Sequence, residues 1–440
     1  MNRIFSKKRL LNRRYVAIVA LVISVCALGV LATLSGPRIR ATELNENLLN
    51  QTYTMTFNTE IVPTIEDFTI TPAIASDTQV LKDRVIVIFK EPLSYSQKYT
   101  ITLKATDLSG TSDALSSSFV SSDQRGFYLT RDSAKDDTIN TFLATDTTGS
   151  ERVYSSAEIV LYSVSRHSLA VLENIDDSPR LYLVRGSNKD EIVLPSNKKV
   201  DELQGSATKD SYLMRLIDED SFRSSLWEYN VENDSLYELL DNTGDSLQVS
   251  DISYAPDGNS IIYQDENRVL QLRNFSTDQI AITFGEFDTL RRFLPNEKAV
   301  FGYRNNKPVG VKASDGSFIE PLEQAELSYQ ALLLQDLESY VYFAQRLNSE
   351  TSKLEQLVVS LADQKESILY STPIENSLLL NMGISPNDQF LYVEEAPRPT
   401  IYDDRQPNAK PQGIATTVYD RKTGQEIRSI VGFDIQWRYK

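Results

Sequence analysis

The sequence has almost none of the residues that usually carry catalytic or metal chemistry. Among 440 residues there is one cysteine, Cys26, and one histidine, His167. A single cysteine cannot form an internal disulfide, and the pair is too few for a Cys/His zinc site. Any histidine-dependent triad would rest on His167, which stands beside Arg166 in a turn-like stretch and reads as a surface residue. Clustered positive charge is scarce as well. The 45 Lys and Arg face 61 Asp and Glu, a net charge of −16, and the one basic cluster lies within the first 14 residues. A nucleic-acid binder needs clustered cations to displace counterions, so that partner class is excluded. The nearest approach to a calcium loop, Asp241-Asn242-Thr243-Gly244-Asp245, misses the D-x-[DN]-x-[DN]-G pattern. No catalytic residue, metal ligand or cofactor is expected.

What is present is a globular composition, 41% hydrophobic and 24% charged, long enough for two or three domains. Residues 1–14 carry Arg3, Lys7, Lys8, Arg9, Arg13 and Arg14 and no acid; Tyr15 to Leu34 follow without a charge. Twenty helical residues span roughly 30 Å, the hydrocarbon thickness of a bilayer. The expectation is a transmembrane helix at 15–34 acting as an uncleaved signal anchor. The basic segment would stay cytoplasmic and the remaining domains would be extracytoplasmic at the cell membrane. A cleaved signal peptide has a shorter apolar core and a small-x-small site, and a lipobox wants a small residue where Val25 precedes Cys26. Without the six basic residues the chain carries 39 positive and 61 negative charges, which suits a bacterial envelope protein.

Residues 35–47, with Gly36 and Pro37, read as a linker. From 48 to 122 the period is two: Tyr53, Met55 and Phe57, then Val85, Val87 and Phe89, then Tyr99, Ile101 and Leu103 alternate with polar or smaller residues. Pro63, Pro72 and Pro92 fall between these runs. Alternation of this kind predicts antiparallel strands with one face buried, in a small β-sandwich. The order Met55-Thr56-Phe57-Asn58, Phe68-Thr69-Ile70-Thr71-Pro72, Pro92-Leu93, Tyr99-Thr100-Ile101-Thr102-Leu103, Asp107-Leu108-Ser109-Gly110 and Ser118-Phe119 resembles the bacterial Ig-like domain of the SbsA type found in surface-layer proteins. The resemblance implies a spacer or adhesive module.

From 124 to 440 the chain repeats. Strand-like segments beginning at Ile139, Arg180, Ser225, Arg268, Pro308, Lys353 and Ala415 recur 40 to 45 residues apart, with a last gap of 62. A second series, centred on Tyr128, Ala170, Met214, Ile262, Phe301, Tyr342 and Tyr392, lies upstream of it. A third, at Val153, Val193, Tyr237, Ala281, Ile319, Ile368 and Ile427, lies downstream. A fourth, Val160, Gln204, Ser253, Arg292, Leu333, Met382 and Ile435, is offset: nothing precedes Tyr128 and Ile435 is left over. Such a period predicts a seven-bladed β-propeller whose spare last strand, with Phe433, Ile435 and Trp437 alternating, closes the first blade and hides an open edge. The fold class expected is all-β after the anchor. The segment Glu323–Gln335 could be helical but falls where two blades should meet. The last blade carries an insert from about Pro397 to Pro411, between its second and third strands, that reads as an exposed loop.

Turns punctuate the repeat. Tyr254-Ala255-Pro256-Asp257-Gly258, Leu294-Pro295-Asn296-Glu297 and Ser385-Pro386-Asn387-Asp388 each precede a second-series strand. Pro presets φ at the first corner, and Asp, Asn and Gly tolerate the next ones. These turns resemble the TolB-type propeller repeat, in which a Ser-Pro-Asp-Gly turn joins the first two strands of a blade. Only Pro256-Asp257-Gly258 is close to that consensus. Acidic pairs at Asp136-Asp137, Asp176-Asp177, Asp218-Glu219-Asp220, Glu394-Glu395 and Asp403-Asp404 read as solvated hairpin tips.

The expected function is binding or scaffolding, with another protein of the envelope as partner and the membrane as support. The propeller offers a rigid rim of loops for docking. A surface enzyme or glycan binder using carboxylates at the propeller mouth is the alternative. It requires a polar pocket with convergent acids and perturbed pKa values. The resemblance to TolB-type proteins adds a third reading, a subunit of an envelope assembly.

Overall fold

A computed structural model describes Ile18, Leu21, Val22, Ser24 and residues 36–438 apart from 48, 132–135, 148, 177, 242, 276–278, 297–298, 320–329 and 404–408. The basic segment 1–14 and most of the run 15–34 therefore lie outside the described residues. Among the described residues no helix is long and apolar enough to cross a membrane. The expected transmembrane helix is corrected accordingly. The regular elements named among the described residues are all strands.

The chain divides into two compact units. The first contains β1 (Ile39–Asn45), β2 (Thr52–Phe57), β3 (Glu66–Thr71), β4 (Ser76–Leu81), β5 (Arg84–Phe89), β6 (Lys98–Thr106) and β7 (Ser112–Val120). They form two sheets, ordered β1-β2-β5-β4 and β3-β6-β7. The stretch read as a linker, 35–47, thus contributes an edge strand. Alternate residues of β2, β5 and β6 meet in one core: Tyr53, Met55 and Phe57, Val85 and Val87, Ile101 and Leu103. Asp107 holds its turn by accepting hydrogen bonds from the Ser109 and Thr111 amides, both at 2.9 Å.

The second unit holds seven four-stranded antiparallel sheets. The first blade has β8 (Arg125–Thr130), β9 (Asp137–Leu143) and β10 (Glu151–Ser156). The second has β11 (Ile159–Val164), β12 (Leu169–Ile175), β13 (Ser178–Arg185) and β14 (Asn188–Ile192). The third has β15 (Lys198–Gly205), β16 (Ser211–Asp218), β17 (Ser224–Asn230) and β18 (Ser235–Glu238). The fourth has β19 (Val249–Tyr254), β20 (Ser260–Asp265), β21 (Val269–Asn274) and β22 (Gln279–Glu286). The fifth has β23 (Thr289–Phe293), β24 (Ala299–Arg304), β25 (Lys307–Lys312) and β26 (Phe318–Ile319). The sixth has β27 (Ala331–Leu333), β28 (Tyr340–Leu347), β29 (Leu354–Ala362) and β30 (Lys365–Pro373). The seventh has β31 (Ser377–Ile384), β32 (Phe390–Pro397), β33 (Ala415–Asp420) and β34 (Glu426–Val431). A last strand, β35 (Phe433–Trp437), returns to the first blade and pairs antiparallel with β8, in the order β10-β9-β8-β35.

All seven joints between neighbouring blades are made in the same sense. A side chain of one blade accepts a hydrogen bond from a backbone amide on the inner strand of the next. Gln436 accepts from Val164 (3.2 Å), Ser163 from Gly205 (2.8 Å), Gln204 from Tyr254 (3.0 Å) and Asp251 from Leu290 (3.0 Å). Tyr303 accepts from Ala331 (2.6 Å), Gln356 from Leu379 (3.4 Å) and Glu394 from Asp434 (2.7 Å), which completes the ring. The inner strand of a blade is a sheet edge, and buried amides left unpaired there would cost free energy. Register shifts interrupt six of the seven inner strands, between Ile159 and Leu161, Val200 and Glu202, Val249 and Asp251, Leu290 and Arg292, Leu379 and Asn381, and Phe433 and Gln436. A bulge leaves a residue out of the ladder and re-aims its neighbours. Here the residue after the shift at several positions, Asp251 and Gln436 among them, is the one that reaches the next blade.

Candidate functional site

The seven turn residues singled out in the sequence lie at one end of the ring, where the first and second strands of each blade connect. In the turn Ala255-Pro256-Asp257-Gly258 the Gly258 amide donates to Ala255 O at 2.9 Å, and Gly258 has φ +67°. A Cβ on Gly258 would collide with Thr208 Oγ1 in the preceding blade's turn, which itself donates to Asp257 O at 2.9 Å. Gly258→Ala is therefore expected to cost about 1–3 kcal/mol, through left-handed backbone and a displaced neighbour. Urea unfolding of the two proteins side by side measures it.

In Ser385-Pro386-Asn387-Asp388 the same turn is closed by Asp388 N donating to Ser385 O, and Asp388 takes the left-handed position at φ +60°. Its carboxylate is buried. It accepts from the Gln335 amide at 2.6 Å and pairs with Arg292 at 3.3 Å, so it ties the seventh blade to the sixth and the fifth. Burial lifts the Asp388 pKa above its usual value while Arg292 opposes the lift. Asn387 Oδ1 accepts from the Gln389 amide at 3.0 Å. Asn296, beside Pro295, donates to Gln335 O at 2.9 Å. These turns are mutual fastenings between blades.

The closing residues sit as a buried strand should. Phe433 and Ile435 are 7% and 5% exposed. The Trp437 ring meets Phe142 edge-on at 5.6 Å and lies beside Tyr392 at 6.4 Å, in a cluster that also holds Tyr128. His167 is exposed in the turn after β11. The segment proposed as helical is a strand at Ala331–Leu333, and 320–329 lie outside the described residues.

The site that sequence reading did not locate is the mouth at the opposite end of the ring, where the inner strands begin. A cavity of about 750 Å³ opens there between the first, second, third and seventh blades. Its apolar wall includes Val160, Leu161, Leu380 and Phe433, and its polar groups include Lys199, Asp201, Asn381, Glu394 and Asp434. The insert of the last blade supplies Lys410 and Pro411 to the same wall, and Ile414, just after it, joins them. It is anchored by Arg131, a buried side chain that reaches Asp403 of the insert at 3.3 Å and Asp137 at 3.6 Å and donates to Ile159 O at 2.9 Å. Ile401, Tyr402 and Val431 remain exposed.

Two of the mouth carboxyls are perturbed. Burial, with the neighbouring Asp434 charge adding to it, lifts Glu394 to about 7. Burial lifts Asp434 as well, against the pull of Lys410 and Arg131. Further along the ring, burial lifts Glu202 to about 7 despite Arg215, and lifts Asp251. The reading of Asp136-Asp137 and Glu394-Glu395 as solvated tips is overturned for Asp137 and Glu394, which are 0% and 5% exposed. Both sit in strands and accept amide hydrogen bonds from a neighbouring blade or the closing strand. The available signal was the placement of Glu394 within the run Phe390–Ala396, where a hairpin tip does not belong. Among the described residues no group of three or more His, Cys, Asp or Glu side chains could hold a metal ion.

The second unit is thus a seven-bladed, circularly closed β-propeller with a polar and apolar mouth. The chain is similar to TolB from Acinetobacter baumannii, at 12% identity over 80% of this chain and 81% of that chain, with a TM-score of 0.37. A protein of unknown function from Bacteroides thetaiotaomicron VPI-5482 is 10% identical over 82% of this chain and 95% of that one, with a TM-score of 0.36. The dihydro-heme d1 dehydrogenase NirN, in complex with DHE, is 10% identical over 76% and 72%, with a TM-score of 0.40. No family model matches the chain, and no curated protein matches it in sequence.

Proposed function

We propose that this chain is a binding and scaffolding module that docks another macromolecule of the bacterial envelope at the propeller mouth. The observation that supports it is the cavity of about 750 Å³ walled by four blades and the last-blade insert. Its size lies in the range of ligand sites, and it combines apolar walls with charges of both signs. A partner segment carrying apolar and polar groups together fits that chemistry. Its place of work is the extracytoplasmic face of the cell membrane; the motivation is the six basic residues ahead of the uncharged run in the sequence. Protease added to intact cells is expected to degrade the propeller, and survival of the propeller would overturn that placement.

The lift of Glu394 to about 7 favours a second reading, carboxylate chemistry on a glycan, because a general acid works best near neutral pKa. Its geometry weighs against this. The Glu394 carboxylate accepts the Asp434 amide at 2.7 Å and so holds the closing strand. A photo-crosslinker at Lys199 or Asp201 is expected to give one stoichiometric adduct in intact cells. The same probe at Ser187 or Glu232, exposed in hairpin turns at the opposite end of the ring, gives none, and Leu161→Glu abolishes the mouth adduct. Adducts shared by all four positions, or none, would refute docking at the mouth.

A further inference from the structure

We propose that the end of the propeller opposite the mouth holds an oxyanion, a carboxylate or phosphate group, on the paired guanidinium groups of Arg125 and Arg438. Arg125 opens β8, and Arg438 directly follows β35. Trp437 pairs with Gly126, and the Arg438 amide donates to Arg125 O at 3.0 Å, so the two arginines stand opposite one another across the strand pair. Residues directly opposite in an antiparallel pair project to one face, about 4.5–5.5 Å apart at Cβ, and like charges there repel. Among the described residues the acid whose charge reaches Arg438 is Asp210, and it forms no ion pair with it. Among the described residues neither guanidinium has a hydrogen-bond or ion-pair partner.

The surroundings hold the pair in place. The Arg438 guanidinium lies over the Phe127 ring, 4.7 Å from its centroid, and its Nε is buried with no acceptor. The nearby carboxylate, Asp210, is engaged through Oδ1, which accepts from the Ser165 and Ser168 hydroxyls and from the His167 amide. Arg166, exposed in the adjoining turn, adds a third positive charge. Burial and the Arg125 charge together lower the Arg438 pKa, with Tyr212 and Asp210 opposing. Guanidinium groups present fixed pairs of donors that match two oxygens of one carboxylate or phosphate. The site is independent of the mouth, which lies at the other end of the inner strands.

The thermal midpoint of the full chain tests it, at constant ionic strength, with chloride exchanged for inorganic phosphate in one arm and acetate in another. A rise of about 2 °C is expected once the bound oxyanion exceeds its Kd tenfold, and the responding arm identifies phosphate or carboxylate. Arg125→Gln, at an exposed position that should not disturb folding, is expected to abolish the rise. In dilute chloride that variant should melt slightly higher than the natural chain, because the repulsion is gone. Phosphate also stabilises proteins by exclusion from their surface, so a rise of equal size in Arg125→Gln overturns the proposal. Midpoints no higher in either oxyanion than in chloride overturn it too.

Discussion

A chain ending at Gly432 is expected to lose its folded propeller altogether. The missing strand, β35, supplies the inner edge of the first blade and the buried Phe433 and Ile435. It is also gripped from both sides. Glu394 of the seventh blade accepts its amide, while Gln436 accepts from Val164 and donates to Tyr162 O at 2.7 Å in the second. Tyr162 OH donates to Asp434 O as well. Loss of a buried aromatic side chain costs about 3–5 kcal/mol, and each buried polar group left without its partner adds about 1–3. Together these are of the same order as the usual net stability of a domain, about 5–15 kcal/mol. The two tryptophans make the test clean. The truncation removes Trp437 and leaves Trp227, in the third blade, as the sole indole reporter. Its fluorescence should be that of an unfolded chain without denaturant, and Trp437→Ala in the full chain should cost about 3–5 kcal/mol in urea. A truncated chain whose Trp227 unfolds at the natural urea midpoint would show that the blades stand without closure.

The second large effect is an inverted pH dependence. Glu394 is lifted from its ordinary 4.5 to about 7 by burial among Asp434, Tyr392 and Asn381, with Tyr162, Lys410 and Arg131 facing the same network. In this window the folded chain binds the proton and the unfolded chain has released it. Stability is then greatest below pH 4.5 and falls as pH rises toward 7. A lift of this size corresponds to about 3 kcal/mol. Glu202, also lifted to about 7, acts in the same direction. Surface carboxylates such as Asp218, Asp241 and Asp315 are lowered instead, by hydrogen bonds within their turns, and oppose the trend only below the usual carboxylate range. Urea midpoints at pH 5 and pH 8 should therefore favour pH 5, and Glu394→Gln should shrink the gap. A midpoint that rises steadily from pH 5 to 8 would exclude the assignment.

The ring was legible because its strands repeat a pattern the eye can align. Tyr128, Ala170, Met214, Ile262, Phe301, Tyr342 and Tyr392 all lie in second strands, and Ile435 lies in the strand that closes the first blade. Period-two burial needs only the residue types, so Phe433 and Ile435 announced an inner strand. The mouth was opaque for the opposite reason. Glu394, Arg131 and Asp434 come from separate elements, and their roles depend on bulges that leave no mark on composition. Asp388 was equally hidden. It occupies the position held by Gly258 in a similar turn, but its work lies in Arg292 and Gln335, two blades and one blade away. β1 was missed because Ile39–Asn45 is an edge strand whose residues are mostly exposed, so no alternation shows.

Circular closure also sets a timetable for biosynthesis. Some 300 residues separate the end of β8 from the start of β35, and a ribosome adds about 5–20 residues per second. The first blade therefore waits roughly 15–60 s with a bare template edge before its own partner emerges. During that interval any extended peptide nearby can compete for the vacancy, which makes a holdase that shields nascent β-ribbons a natural requirement for producing this protein in quantity.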